Sequence, residues 1–246
     1  MIPIPRRQIL VMLMASVPAA RIFSLRKNAG EIVIAIPEKQ SLPDPLLYRV
    51  VDRARPILEE EIKATIDPKL QSLPLTMDGI LVANEHVRIH TLCLKDLEAL
   101  FAASNSARTG LYVHSGFRSY EEQAIAYSQA KDKSTVLLPG TSQHHTGLAL
   151  DFTSSEIGKL VDINSGFEKT KAATWLTDHA WEYGFLPSYT SNHDGIRNES
   201  WHYLYVGKEM ARTYLELKSA GWYGDVFLLQ TAISLGMDRL VFDGLP

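Results

Sequence analysis

Two short segments constrain this chain more than any other feature, because neither makes sense unless folding brings them together. One is Ser142-Gln-His-His-Thr-Gly-Leu-Ala-Leu-Asp151 and the other is Glu199-Ser-Trp-His202. Between them they supply imidazoles and a carboxylate suited to a divalent metal. A further carboxylate, Glu199, stands one turn before the last histidine. Three protein ligands, one open coordination position and a nearby base are what a catalytic zinc site requires.

The residue pattern says how the ligands converge. Gly147 to Thr153 alternates as a strand, with residues 147, 149 and 151 on one face and Leu148, Leu150 and Phe152 on the other. Asp151 then looks out over Gly147 and Ala149, which are too small to fill the space above them, while the bulky face enters the core. Trp201 to Val206 reads as a second strand with His202, Leu204 and Val206 on one face. A turn at His145-Thr146 lets His144 approach Asp151, and His202 supplies the third corner. From spacing alone His145 rivals His144. Adjacent residues in extended backbone point apart, so only one of the pair faces the metal. Glu199 is better placed as a base than as a fourth ligand, which would close the site. Arg118, just ahead of a helix, suits a substrate carboxylate or a developing oxyanion, a surface salt bridge being the plain alternative.

The chain holds eight histidines, so most need a bland reading. His86, His90 and His193 have no partners in sequence and read as packed or solvated side chains. His179 falls on an apolar helical stripe with Ala172, Trp175, Leu176, Ala180 and Tyr183, and reads as a core histidine bonded to a carbonyl. The single cysteine, Cys93, lies among apolar neighbours and reads as a small buried hydrophobe.

Along the chain, 31–36 predicts a strand, 46–65 a helix kinked or broken near Arg55 by Pro56, and 66–90 short strands and turns. Leu94, Leu97, Leu100 and Phe101 predict an amphipathic helix over 94–105, followed by a buried strand at Leu111 to His114. Ser119 and Glu122 form a capping box that opens a helix over 120–131. Residues 207–219 predict a helix, and the tail from 220 contains one more helical stretch. This divides the chain into a signal segment (1–20), an N-terminal appendage (21–85), a domain that carries the candidate zinc site (86–219) and a C-terminal tail (220–246).

Composition excludes some partners. Hydrophobic residues at 46% and charged residues at 22% allow a sizeable core, and a net charge of −3 offers no basic footprint for nucleic acid. No internal apolar run is long enough to span a membrane. At the N-terminus, Arg6 and Arg7 precede the apolar run from Ile9, with small residues around Ala19, the pattern of a secretory signal and hence of an extracytoplasmic protein. An uncleaved anchor or a buried N-terminal element is the rival reading.

These motifs resemble the VanY-type D-alanyl-D-alanine carboxypeptidases, a family of zinc peptidases related to the metal domain of Hedgehog. The family's Ser-x-His-x-x-Gly-x-Ala-x-Asp pattern is met by Ser142, His144, Gly147, Ala149 and Asp151, and its Glu-x-Trp-His pattern by Glu199, Trp201 and His202. The upstream Ser-Gly-Phe/Tyr-Arg-Ser…Gln element is met by Ser115-Gly-Phe-Arg-Ser119 and Gln123. The segment before Glu199 is shorter than usual, and Ser200 stands where proline is frequent. The resemblance implies an α+β fold, a small antiparallel sheet flanked by helices. It implies one zinc ion held by His144, Asp151 and His202, which settles His144 over His145. Glu199 is the implied base and Arg118 the group that stabilises substrate or transition state, with Ser115, Gln123 and Ser142 lining the peptide site. The implied activity is removal of the terminal D-alanine from peptidoglycan stem peptides, in D,D or L,D linkage. An endopeptidase using the same zinc site, or a zinc-containing wall-binding module without turnover, are the alternatives.

Overall fold

The computed structural model describes residues 31–74, 76–77, 79–83, 86–133, 136–157, 166–190 and 198–243. The expected signal segment and His193 lie outside them. Among the described residues, no helix is long and apolar enough to cross a membrane. The described residues form two compact units, one within Val50–Ala211 and one of 31–49 with 212–243.

The larger unit is built on a four-stranded antiparallel sheet. Its strands run, edge to edge, Leu111–Ser115, Ala149–Ser154, His202–Tyr205 and Phe185–Pro187. Register is what makes the site. Asp151 pairs with His202 on one side and with Ser115 on the other, so three candidate residues fall on one line across three strands. Directly opposed residues of an antiparallel pair share a face. The Ser115 register depends on an irregularity between Val113 and Ser115, where the pairing shifts by one residue.

The other face of the sheet carries the core. Phe152 lies 6.4 Å from both Phe101 and Phe185 and 5.6 Å from Tyr203, ring centre to ring centre. Phe101 belongs to the helix Thr91–Ser106, which buries Cys93, Leu97, Leu100 and Phe101. Fully burying a side chain of this size contributes about 1.5–3 kcal/mol, so this aromatic cluster fixes the back of the sheet. The helix begins three residues earlier than its apolar spacing predicts, because the His90 imidazole caps it, Nδ1 accepting from the Leu92 N–H at 3.1 Å. That start puts Cys93 rather than Leu94 on the buried stripe. The Cys93 thiol donates to the His90 carbonyl, and burial pushes its pKa up to about 12. It is the inert small hydrophobe the sequence suggests.

The helix predicted over 46–65 does not form as one element. Pro45–Tyr48 is a 3-10 turn, and helical backbone resumes only at Glu59, running to Ile66. Pro56 lacks the N–H a helix needs and disfavours helical backbone at Arg55. The Asp52 carboxylate instead accepts the N–H groups of Ala54 and Arg55, at 3.0 and 2.8 Å, and closes a turn there. His179 is not a core histidine. The helix Lys171–His179 passes into a 3-10 turn at Ala180, the stripe loses its period, and the half-buried ring pairs with Glu182 at 2.9 Å.

In the smaller unit Glu31–Ala35 pairs antiparallel with Arg239–Asp243, residue 31 opposite 243. The helix Val226–Ser234, capped by Asp225, buries Phe227, Leu229 and Ile233. The 31–36 strand is as predicted, whereas its partner is not visible in the tail. Three apolar residues between Arg239 and Asp243 are too short a run to read as a strand by themselves, and the partner that receives them lies at the other end of the chain. The architecture is mixed α+β, with a small antiparallel sheet flanked by helices, as the resemblance implies.

Candidate metal centre

His144 and His145 lie in a tight 3-10 turn, Gln143–Thr146, that feeds the Ala149–Ser154 strand. Ser142 caps the turn, its Oγ accepting from the His144 N–H at 3.3 Å. Gly147 ends it in left-handed backbone, φ +67°, with Leu70 and His90 packed against it where a Cβ would stand. The strand alternation therefore starts at Ala149. The open floor expected above Gly147 is filled by residues of the 66–90 segment.

The turn aims its two imidazoles differently. His145 Nε2 accepts from the Gly140 N–H at 2.9 Å, and Nδ1–H donates to the Arg118 carbonyl at 2.7 Å. Both ring nitrogens are thus spent on backbone, tying the Arg118 turn to the Gly140 loop. Burial lowers its pKa to about 4, so the ring is neutral near pH 7. His144 Nδ1 lies 2.6 Å from the Gly116 carbonyl and Nε2 3.2 Å from Asp151 Oδ2. His202 Nδ1 lies 3.0 Å from Asp151 Oδ1, and its Nε2 lies 2.9 Å from Gln143 Oε1.

A neutral imidazole has one N–H. The Gly116 carbonyl and the Gln143 amide oxygen only accept, so the protons sit on His144 Nδ1 and His202 Nε2. The lone pairs of His144 Nε2 and His202 Nδ1 are then turned on the Asp151 carboxylate, an unfavourable meeting unless a cation lies between them or each ring takes a second proton. Burial alone would raise the Asp151 carboxyl, but the positive charge and N–H bonds that the two imidazoles, His144 first, offer it when doubly protonated hold it well below the ordinary carboxylate range. The three donor atoms lie within 4.8 Å of one another, and all three residues are buried. Donors 2.0–2.2 Å from a tetrahedral zinc stand about 3.4 Å apart. The donor set, spacing and tautomers therefore fit a single zinc ion.

Around this cluster the other candidates are placed as follows. Glu199 begins a turn in which the His202 N–H bonds back to its carbonyl, and its Oε2 is 3.8 Å from His202 Nδ1. Burial pushes its pKa up to about 7. His202 and Arg118 work against that rise, and Asp151 adds to it. The Arg118 guanidinium donates to Gln123 Oε1 at 2.8 Å, and the Gln123 amide donates to the Leu137 carbonyl at 2.6 Å. Gln123 is buried and holds Arg118 from behind. Two neighbours of His202 carry no signal in the motif: Gln143, at a variable position, and Tyr189, whose ring centre lies 4.6 Å from the imidazole.

Gly116 shows why the Ser-Gly-Phe-Arg element needs its glycine. A Cβ there would stand 2.4 Å from the Arg88 carbonyl oxygen, so any side chain must push the strand end that presents the Gly116 carbonyl to His144. Gly116→Ala is expected to destabilise the protein by about 1–3 kcal/mol and to weaken zinc binding with it. Thermal melts with and without zinc read both effects.

Comparison with known proteins agrees with this geometry. The family model described as VanY, D-alanyl-D-alanine carboxypeptidase, matches residues 86–208. The carboxypeptidase-like protein YodJ of Bacillus subtilis (strain 168) is 35% identical over 126 residues, 47% of this chain and 45% of its own length. A D-alanyl-D-alanine carboxypeptidase of Enterococcus faecalis (strain ATCC 700802 / V583) is 32% identical over 134 residues, 47% of each protein. The chain thus spans less than half the length of these relatives. A variant of the vancomycin-resistance D,D-pentapeptidase VanY from a VanB-type cassette, solved with Zn(II), superimposes with a TM-score of 0.51 at 26% identity, over 70% of this chain and 94% of that one. With its family model spanning half its length and the His-Asp-His cluster inside that span, the chain belongs to the VanY D-alanyl-D-alanine carboxypeptidase family.

Proposed function

We propose that this protein is a zinc-dependent carboxypeptidase that removes the terminal D-alanine from peptidoglycan stem peptides. The observation that carries the reading is the meeting of three lone-pair donors, on His144, Asp151 and His202, beside the partly exposed Glu199. The family and the named activities of its members supply the substrate class. Zinc, when bound, supplies a Lewis acid that acidifies water and polarises a carbonyl. The chain's own groups do the rest. Glu199 accepts the proton released by the attacking water and returns it to the departing amine of D-alanine. Arg118, steadied by Gln123, offers a planar pair of N–H donors to the substrate's terminal carboxylate or to the oxyanion. Ser142 and Ser115 flank the cluster. The Ser142 hydroxyl accepts from His144, so its own proton is free to meet a peptide carbonyl.

Proteins of this family work on the cell wall, outside the cytoplasm. The basic and apolar pattern of residues 1–20 supports export of this chain by a signal segment. The test is incubation of the purified zinc-loaded protein with defined tetrapeptide and pentapeptide muropeptides, followed by mass measurement. The expected product has lost a single terminal alanine. Cleavage within the stem or a cross-bridge would instead assign an endopeptidase, and tight zinc binding with no product from any muropeptide would leave a binding module.

A further inference from the structure

The Gln143 side chain has no role in the chemistry above, yet it lies at the centre of the buried network behind His202. It is buried, at 2% exposure. Its Oε1 faces His202 Nε2 at 2.9 Å and also accepts from the Ser188 hydroxyl at 2.7 Å. Nε2 of the same amide is buried with no hydrogen-bond partner among the described residues. The amide is therefore oriented by its oxygen alone, and at the cost of an unpaired donor. Turning it over would set an NH2 group against His202 Nε2, which could then pair only in the other tautomer, with its proton on Nδ1 where the metal needs a lone pair.

We infer that Gln143 is a positioning residue for the metal centre. By accepting from His202 Nε2–H it locks the imidazole in the tautomer that presents the Nδ1 lone pair toward Asp151 and His144, while Ser188 holds the amide in place. The inference rests on the zinc reading of that cluster and is independent of the substrate. A histidine ligand uses one ring nitrogen for the metal, and a hydrogen bond at the other fixes its tautomer and orientation. Losing that partner typically costs 10–100-fold in metal affinity or activity. An amide also does this without adding a buried negative charge to a site that already contains Asp151 and Glu199.

The experiment measures zinc affinity of the full-length protein by competition with a chromophoric chelator, for the wild type, Gln143→Leu and Gln143→Glu. Gln143→Leu, which keeps the bulk and removes the acceptor, is expected to bind zinc 10–100-fold more weakly. Gln143→Glu restores an acceptor and is expected to bind at least as tightly as the wild type. Equal affinity of wild type and Gln143→Leu would overturn the inference, as would equal weakening by both substitutions, which would mean that only packing is at stake. Should Gln143→Leu fail to fold, the wild type alone decides. Nitrogen NMR of the zinc-loaded protein must show the His202 proton on Nε2, and a proton on Nδ1 would refute the assignment. A wild type that takes up no zinc would defeat the metal reading itself, a result distinct from these.

Discussion

Glu199→Gln is expected to lower kcat for removal of the terminal alanine by about 10²–10⁴-fold, the span over which a positioned acid–base group contributes, while one zinc per chain stays bound. The amide has the shape of the carboxylate but cannot accept a proton, and it leaves His144, Asp151 and His202 untouched. Glu199 suits the role because it is largely buried, still partly exposed, and close to Arg118 and His202. Burial pushes its pKa up to about 7, while His202 and Arg118 pull the other way. The charge of a bound zinc ion adds to that pull, so the carboxylate is ionised at neutral pH and protonates only in acid. Activity therefore falls as pH drops through this pKa, and the fall sets in below pH 7. Steady-state rates on a pentapeptide muropeptide, with zinc content measured on the same samples, decide the matter. Turnover within tenfold of wild type, or loss of the metal from the variant, would remove Glu199 from the role of base.

The contrast between the ligands and their surroundings shows what a sequence can reveal. His144, Asp151 and His202 are legible because metal coordination accepts few residue types and the motif fixes their order. Asp151 and His202 can also be assigned to strand faces, and the register that sets them opposite each other bears out that assignment. The capping box at Ser119 and Glu122 is equally local and forms as read. What escapes is set by contacts across the chain. The floor above Gly147 looks open from its own strand, but Leu70 and His90 fill it. Gln143 gives no sign of its bond to His202, since nothing in a variable motif position shows which way it faces. The stretch 46–65 keeps enough apolar spacing to suggest a helix, and the Asp52 turn before Pro56 overrides that pattern. The strand Arg239–Asp243 exists because Glu31–Ala35 is there to receive it.

Asp151→Asn is expected to weaken zinc binding by about a thousand-fold. That is roughly 4 kcal/mol, about a quarter to two-fifths of the 10–16 kcal/mol that a structural zinc site delivers. The substitution changes one atom on a strand whose register is fixed from both sides, by Ser115 and by His202. The backbone therefore stays in place and the metal-free variant melts close to wild type. What changes is charge. Two neutral imidazoles and a carboxylate leave a zinc site with one net positive charge, whereas an amide leaves two positive charges in a buried pocket and is a poorer donor. Activity should be lost in step with the metal and recovered on adding zinc in large excess. That recovery separates this variant from Glu199→Gln, which zinc cannot rescue because its metal is already in place. Acid should release the metal from both the wild type and the variant, since metal ligands must be deprotonated to bind, and the variant should lose it at higher pH. If Asp151→Asn holds zinc as tightly as the wild type, the carboxylate is not a ligand, and the lone pairs converging on it must be satisfied by protons alone.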